Sequence, residues 1–237
     1  MNYIGMDIHK QFTVAVVKDD NGNKLAKEKF DNRKENFSKF LNVYKPESTK
    51  IVIESTSVWE YIYEILDGMN YCVKLANPVR TRAIAEARIK TDSIDADTLA
   101  DLLRANLVAE SYIPSKEIRK LRETTRERRT FVKQTTQIKN RIHSILIRRG
   151  ISIPTKTLCK STILWIKEKF KEDDVMLSYI NLLGYHEIEL NSIKNRINEL
   201  AENNNNARLL MSIPGIAGIR SLDIIAEIGE IKRFSTA

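Results

Sequence analysis

This chain is poor in the residues that most often announce a metal or redox site. Its 237 residues include two cysteines, Cys72 and Cys159, and neither stands in a CxxC pair. That count excludes a structural zinc site, and both thiols are expected to be buried and reduced. The three histidines, His9, His143 and His186, are too scattered to form a ligand cluster. No apolar run approaches the ~18 residues that cross a bilayer, and the N-terminus lacks a signal-peptide pattern. A soluble, cytoplasmic protein with no membrane partner is therefore expected. Glycine is absent from residues 69–149. That removes the later glycine-rich loops needed by ATP-binding proteins of the actin and sugar-kinase type.

Positive charge is present, but it is confined. Residues 116–149 hold twelve Lys or Arg against three acids, Glu117, Glu123 and Glu127. The segment nets +9 in a chain of net charge +8, so the other 203 residues sit near −1. Charge concentrated on one element is the footprint of polyanion binding. The expected contacts are Arg119, Lys120, Arg122, Arg126, Arg128, Arg129, Lys133, Lys139 and Arg141.

The first 90 residues alternate between two hydrophobic periods. Strands are predicted at 3–8, 12–18, 24–30, 50–54 and 71–76, and helices at 33–44, 57–68 and 79–89. Asp19-Asp20-Asn21-Gly22-Asn23 has hairpin-turn chemistry, and Asn77-Pro78 suits a helix start. Three antiparallel strands followed by alternating helices and strands give the α/β order of the ribonuclease H-like fold. Asp7 closes the run Tyr3-Ile4-Gly5-Met6, and Glu54 closes Ile51-Val52-Ile53. Ionised oxygens at the tip of a buried strand need a cation or a donor. Asp92 and Asp95, three apart, are expected to share a helix face, with Asp97 rotated away into solvent. Carboxylates from two strands and one helix can hold two Mg²⁺ or Mn²⁺ ions, which phosphodiester chemistry asks for. Lys90 is a candidate phosphate contact beside them, with His9 and Lys10 at the mouth.

Beyond Ala96 an amphipathic helix is expected to run to Leu107, and Pro114 marks the expected end of the first domain. A long helix over 115–149 carries the imperfect stripe Ile118, Leu121, Thr125, Val132, Thr135, Ile142 and Ile145. A second, over 173–202, spaces Leu183, His186, Leu190, Ile193, Ile197 and Leu200 by threes and fours. The pair predicts an antiparallel hairpin or a coiled coil that makes a homo-oligomer, with 203–206 as a polar loop. Ile213-Pro214-Gly215-Ile216-Ala217-Gly218 looks like a helix-hairpin-helix turn. Its Gly215 and Gly218 would bring backbone amides to a phosphate.

Together these strings resemble one family: the transposases of the insertion sequence 110 group, relatives of the Piv DNA invertase. The strings are Gly5-Met6-Asp7-Ile8-His9-Lys10, Glu54-Ser55-Thr56, Asn77-Pro78, Lys90-Thr91-Asp92-Ser93-Ile94-Asp95-Ala96 and Ser212-Ile213-Pro214-Gly215-Ile216. Lys-Thr-Asp-x-x-Asp-Ala is the most specific of them. The resemblance implies a RuvC-like domain over 1–114 with a DEDD acid set at Asp7, Glu54, Asp92 and Asp95. It implies a coiled-coil region over 115–206 and a partial C-terminal transposase domain over 207–237. The partners implied are the DNA of a mobile element and, in some members, a structured RNA that the element encodes. The family's nucleophilic serine lies downstream of the Pro-Gly unit. Neither Ser221 nor Ser235 stands in its motif, so the chain is read as truncated before it. Two other readings share these residues: a RuvC-like junction nuclease that uses water, and an inert nucleic-acid binder.

Overall fold

Strand β1 (Asn2–Ile8) is central because both of its edges find a partner of matching register. In the computed structural model, which describes residues 1–88, 95–155 and 157–234, β1 pairs antiparallel with β2 (Phe12–Lys18) and parallel with β4 (Thr49–Glu54). β3 (Lys24–Asp31) and β5 (Cys72–Ala76) flank them, and the sheet order is β3-β2-β1-β4-β5. The chain divides into two compact units, Met1–Ile113 and Pro114–Ala237.

Period-two alternation sorts the first unit into two layers around the sheet. Ile4, Met6 and Ile8 point to one face with Val17, Ile51 and Ile53. There they pack on Phe37 and Leu41 of α1 (Lys34–Leu41) and on Ile62 and Leu66 of α2 (Trp59–Asp67). Val52 and Ala76 belong to the other face, covered by Leu99 and Leu103 of α4 (Ala96–Arg104). Gly5 is what lets α4 sit so low. A methyl group there would lie 2.1 Å from the Ala96 carbonyl oxygen and 2.5 Å from the Ala100 nitrogen. Helix α3 (Pro78–Arg88) starts as its sequence predicts, with Asn77 Oδ1 accepting from the Arg80 amide at 3.1 Å. The helix over 96–107 is shorter than expected: it ends at Arg104, and Asn106 turns the chain at φ +54°.

The second unit is helical. α5 (Lys116–Arg148) and α7 (Asp174–Glu202) run antiparallel, as the cross-helix pairs Glu127–Arg196, Lys139–Glu187 and Arg149–Asp173 require. Ile138, Ile142, Ile145 and Leu146 of α5 pack with Met176, Ile180 and Leu183 of α7 and with Ile166 of α6 (Lys160–Lys169). At the other end Ile193, Ile197 and Ala201 pack with Leu222 and Ile225 of α9 (Gly218–Ile228). Two stripe positions are exposed rather than packed in the seam, Val132 and Leu200. The expected loop over 203–206 is also shorter. Asn204 caps α8 (Asn205–Met211) by accepting from the Ala207 amide. No helix among the described residues is long and apolar enough to cross a membrane.

Candidate active site and nucleic-acid interface

Register places the first two acids side by side. Met6 pairs with Ile53 across the parallel strands, so Asp7 and Glu54 are the next residues on each. Asp7 follows Gly5 by two and Glu54 follows Val52 by two, so both take the face covered by α4. Adjacent strands lie ~4.8 Å apart, which leaves two carboxylates in each other's field. Burial pushes the Glu54 carboxyl above its ordinary value, the charge of Asp7 adds to the push, and Arg82 of α3 opposes it. The imidazole Nε2 of His9 lies 3.1 Å from Asp7 Oδ2, so His9 stands at the mouth of the site. Asn32 Nδ2 holds the turn by donating to the His9 carbonyl at 2.7 Å. Thr56 Oγ1, two residues past Glu54, is buried without a hydrogen-bond partner among the described residues.

Asp95 departs from its expected setting. It is the N-cap of α4 rather than a residue on a helix face: its backbone is extended, and its Oδ1 accepts from the Thr98 amide at 2.8 Å. Aspartate is favoured there because it satisfies an amide that the first turn leaves open. Gly5 brings that helix start down onto β1, on the face of Asp7 and Glu54. Asp92 and Lys90 lie outside the described residues. Among the described residues no three His, Cys, Asp or Glu side chains group as a metal-binding set. What stands there is a pair of crowded carboxylates, whose repulsion a divalent cation would relieve, with the Asp95 cap at the start of α4.

Asp97 is ion-paired and only partly exposed, where a freely solvated carboxylate is expected. Its carboxylate meets Lys18 Nζ at 3.0 Å and Lys24 Nζ at 2.6 Å, and Lys18 also meets Asp101 at 2.6 Å. Burial acts to raise the Asp97 carboxyl, but the hydrogen bonds from Lys24 and Lys18 hold it below its ordinary value. Lys18 carried no motif, and its only sequence signal was a lysine closing an apolar strand.

The basic helix spends much of its charge inside the chain. Arg119 is buried and donates to the Pro114 carbonyl at 2.7 Å. Arg122 donates to the carbonyls of Ala226 and Glu227, the last turn of α9, at 2.6 and 3.1 Å. Arg126 and Arg129 pair with Glu227, and Arg129 reaches Asp223 as well. Hydrogen bonding from Arg126, opposed by slight burial, helps hold Glu227 below its ordinary value. Lys139 pairs with Glu187, and Arg141 donates to the Tyr179 hydroxyl. Arg128 is half-buried, its Nε without a partner among the described residues. Lys120 and Lys133 are exposed. Gly215 is exposed with φ +87°, as a tight turn between α8 and α9 requires. Gly218 is instead buried against α7, where a methyl group would meet Asn198 Oδ1 at 2.9 Å.

The thiols correct a further expectation, since Cys72 and Cys159 are both exposed. Cys159 caps the start of α6 beside the hydroxyls of Ser161 (3.1 Å) and Thr162 (3.2 Å).

Residues 4–149 match a family model described as a transposase, of the IS110 DEDD type. Residues 207–237 match a second, described as the transposase IS116/IS110/IS902 family. Among curated proteins, the transposase for insertion sequence element IS1533 of Leptospira borgpetersenii is 23% identical over 244 residues. That alignment covers 97% of this chain and 70% of the relative. The transposase for insertion sequence element IS1328 of Yersinia enterocolitica is 20% identical over 235 residues, covering 98% of this chain and 69% of the relative.

Proposed function

The chain belongs to the IS110 family of transposases, and from that premise we propose that it cuts and rejoins mobile-element DNA by metal-dependent phosphodiester chemistry. The observation that carries this reading is the placing of Asp7 beside Glu54 at the ends of adjacent parallel strands, where burial and the charge of Asp7 raise the cost of charging Glu54. Such crowding is unfavourable for folding alone and useful for a cation. Asp7, Glu54, Asp92 and Asp95 would hold two Mg²⁺ or Mn²⁺ ions. The ions would polarise the scissile phosphate and stabilise charge on its oxygens. His9 and Arg82, at the rim, would orient the strand. On this reading residues 1–114 are the RuvC-like catalytic domain, 115–206 the coiled-coil region and 207–237 part of the transposase domain.

For nucleic acid, the exposed cations Lys120 and Lys133, with the outward part of Arg128, are the contacts this fold favours. Arg119, Arg122, Arg126 and Arg129 support the shape of that surface through the bonds they make within the chain. The Gly215 turn, in the helix-hairpin-helix role, would offer backbone amides to a phosphate. A structured RNA from the same element fits the same basic surface, and the helical unit would join copies of the chain.

The test is cleavage of labelled element-end and branched DNA by the full chain in Mg²⁺ or Mn²⁺. Asp7→Asn and Glu54→Gln should abolish cleavage while the chain stays folded. Undiminished cleavage by folded Asp7→Asn would overturn the assignment.

A further inference from the structure

Resting on the metal-site reading above, we propose that Lys18 is a positioning residue for that site. Its ammonium clamps α4 at two successive turns and so sets where Asp95 stands against Asp7. Lys18 touches neither the acids of the site nor any expected substrate position.

Three contacts hold α4, and they do different things. The buried side chains Leu99, Leu102 and Leu103 attract the helix to the sheet, but apolar packing has no strong direction. Gly5 sets the depth, since it removes the side chain that would keep the α4 backbone away. Neither by itself stops the helix from rotating or sliding along its axis. The polar clamp does. Lys18 Nζ lies 3.0 Å from Asp97 Oδ2 and 2.6 Å from Asp101 Oδ2, residues four apart and therefore on one face. A rotation of the helix breaks both bonds, and a slide of one turn, ~5.4 Å, at best brings one carboxylate to the other's place and loses the second bond. Lys24 adds a second tether at Asp97 Oδ1, 2.6 Å away.

Lys18 is a firm anchor. It lies on β2 opposite Tyr3 of β1, and its side chain is 6% exposed. Asp97 is two residues from Asp95, so a shift at the clamp reaches the capping carboxylate with little attenuation. Burying the Lys18 ammonium between two part-exposed carboxylates is a poor way to gain stability, because well-packed apolar groups often do as well or better. Fixing the registry of one element against another is the best-attested use of such a group, and the registry here is that of the helix bearing Asp95.

The experiment is Mn²⁺ titration of the full chain by electron paramagnetic resonance, with thermal melts in parallel. Lys18→Met alone takes the nearest partner from Asp101 and leaves Asp97 to Lys24, and is expected to destabilise. The triple variant Lys18→Met/Asp97→Asn/Asp101→Asn removes the clamp without leaving buried charge. It should melt near the parent yet bind Mn²⁺ about 10-fold or more weakly, as loss of an outer support does elsewhere. Asp101→Asn, which keeps Lys18 paired to Asp97, is the milder variant and should weaken Mn²⁺ binding in the same direction. Parental Mn²⁺ affinity in whichever of the two variants is folded overturns the role of Lys18. If the parent binds no Mn²⁺, or Asp7→Asn binds it as well as the parent, the metal-site reading fails and this proposal falls with it. If Asp7→Asn loses binding while the clamp variants keep it, only Lys18 is misassigned.

Discussion

Asp7 stands beside Glu54 at the same end of two parallel strands, and its charge adds to burial in holding the Glu54 carboxyl above its ordinary range. A carboxyl whose folded-state value is raised keeps its proton in the native chain after the unfolded chain has lost it. Stability therefore falls as pH rises from the ordinary glutamate value, about 4.3, through the raised one. Glu54→Gln removes that titration. Its melting temperature should exceed the parent's at pH 8, and the gap should close at pH 4 and below. A gap of equal size at both pH values would mean that charge crowding is not its origin.

Gly5 leaves no room for a side chain under α4. Gly5→Ala must push the Ala96 carbonyl away, at a cost of roughly 1–3 kcal/mol by the usual price of overpacking. Urea melts of the parent and variant measure it. A variant as stable as the parent would show that α4 does not lie where the contact with Gly5 puts it.

Arg122 closes the C-terminus of α9 by donating to two carbonyls. Arg122→Ala leaves those acceptors without their donor and should cost about 1–3 kcal/mol. Amide hydrogen exchange should speed up over residues 218–228 in particular. Arg122→Lys should rescue only partly, since an ammonium does not reproduce the fork of the guanidinium.

Nucleic-acid binding should depend on cations that have no internal work. Lys120→Ala and Lys133→Ala should each lower the slope of log affinity against log salt by about 1, with stability unchanged within roughly 0.5 kcal/mol. Fluorescence anisotropy with duplex DNA over a salt series reads this directly. Arg129→Ala should instead show its main effect in the melting curve. A reversed pattern, with Arg129 governing the slope, would move the interface to the α9 side of α5.

Cys159 should be the more reactive of the two thiols. Hydrogen bonds from Ser161 and Thr162, the Thr162 amide and the Thr155 hydroxyl lower it to about 6. Its alkylation by iodoacetamide, followed by mass spectrometry, should therefore rise to half its plateau near pH 6 and outpace that of the exposed Cys72. Ser161→Ala should move that midpoint upward. An unmoved midpoint would mean that the hydroxyl does not stabilise the thiolate.

Much of the first unit was legible because its information is local. Alternation of period two placed all five strands to within a residue or two, and Asn77-Pro78 marked the start of α3. Asp7 and Glu54 stood out because each closes an apolar run. Helix α6 leaves no sign in the sequence: Ile163, Leu164, Trp165 and Ile166 are consecutive, so they trace no helical stripe. The spacing of Asp95 suggests a helix face because spacing says nothing of where the first turn begins. Cysteine is so often buried that its letter gives no sign of exposure, whereas Cys159 stands at the N-cap position of α6 and Cys72 lies exposed at the start of β5.

Sequence by itself determined the five strands, the long helices and most of the faces they bury, and that acids stand at strand ends while bases gather on α5. These follow from periodicity, which is written along the chain. Only the tertiary structure decided which charge meets which. Lys18 finds Asp97 and Asp101 about 80 positions away, and Arg122, Arg126 and Arg129 find α9 about 100 positions away. A charged side chain shows its sign in the sequence, but its partner is chosen by distance in space, and that is fixed only when the layers close.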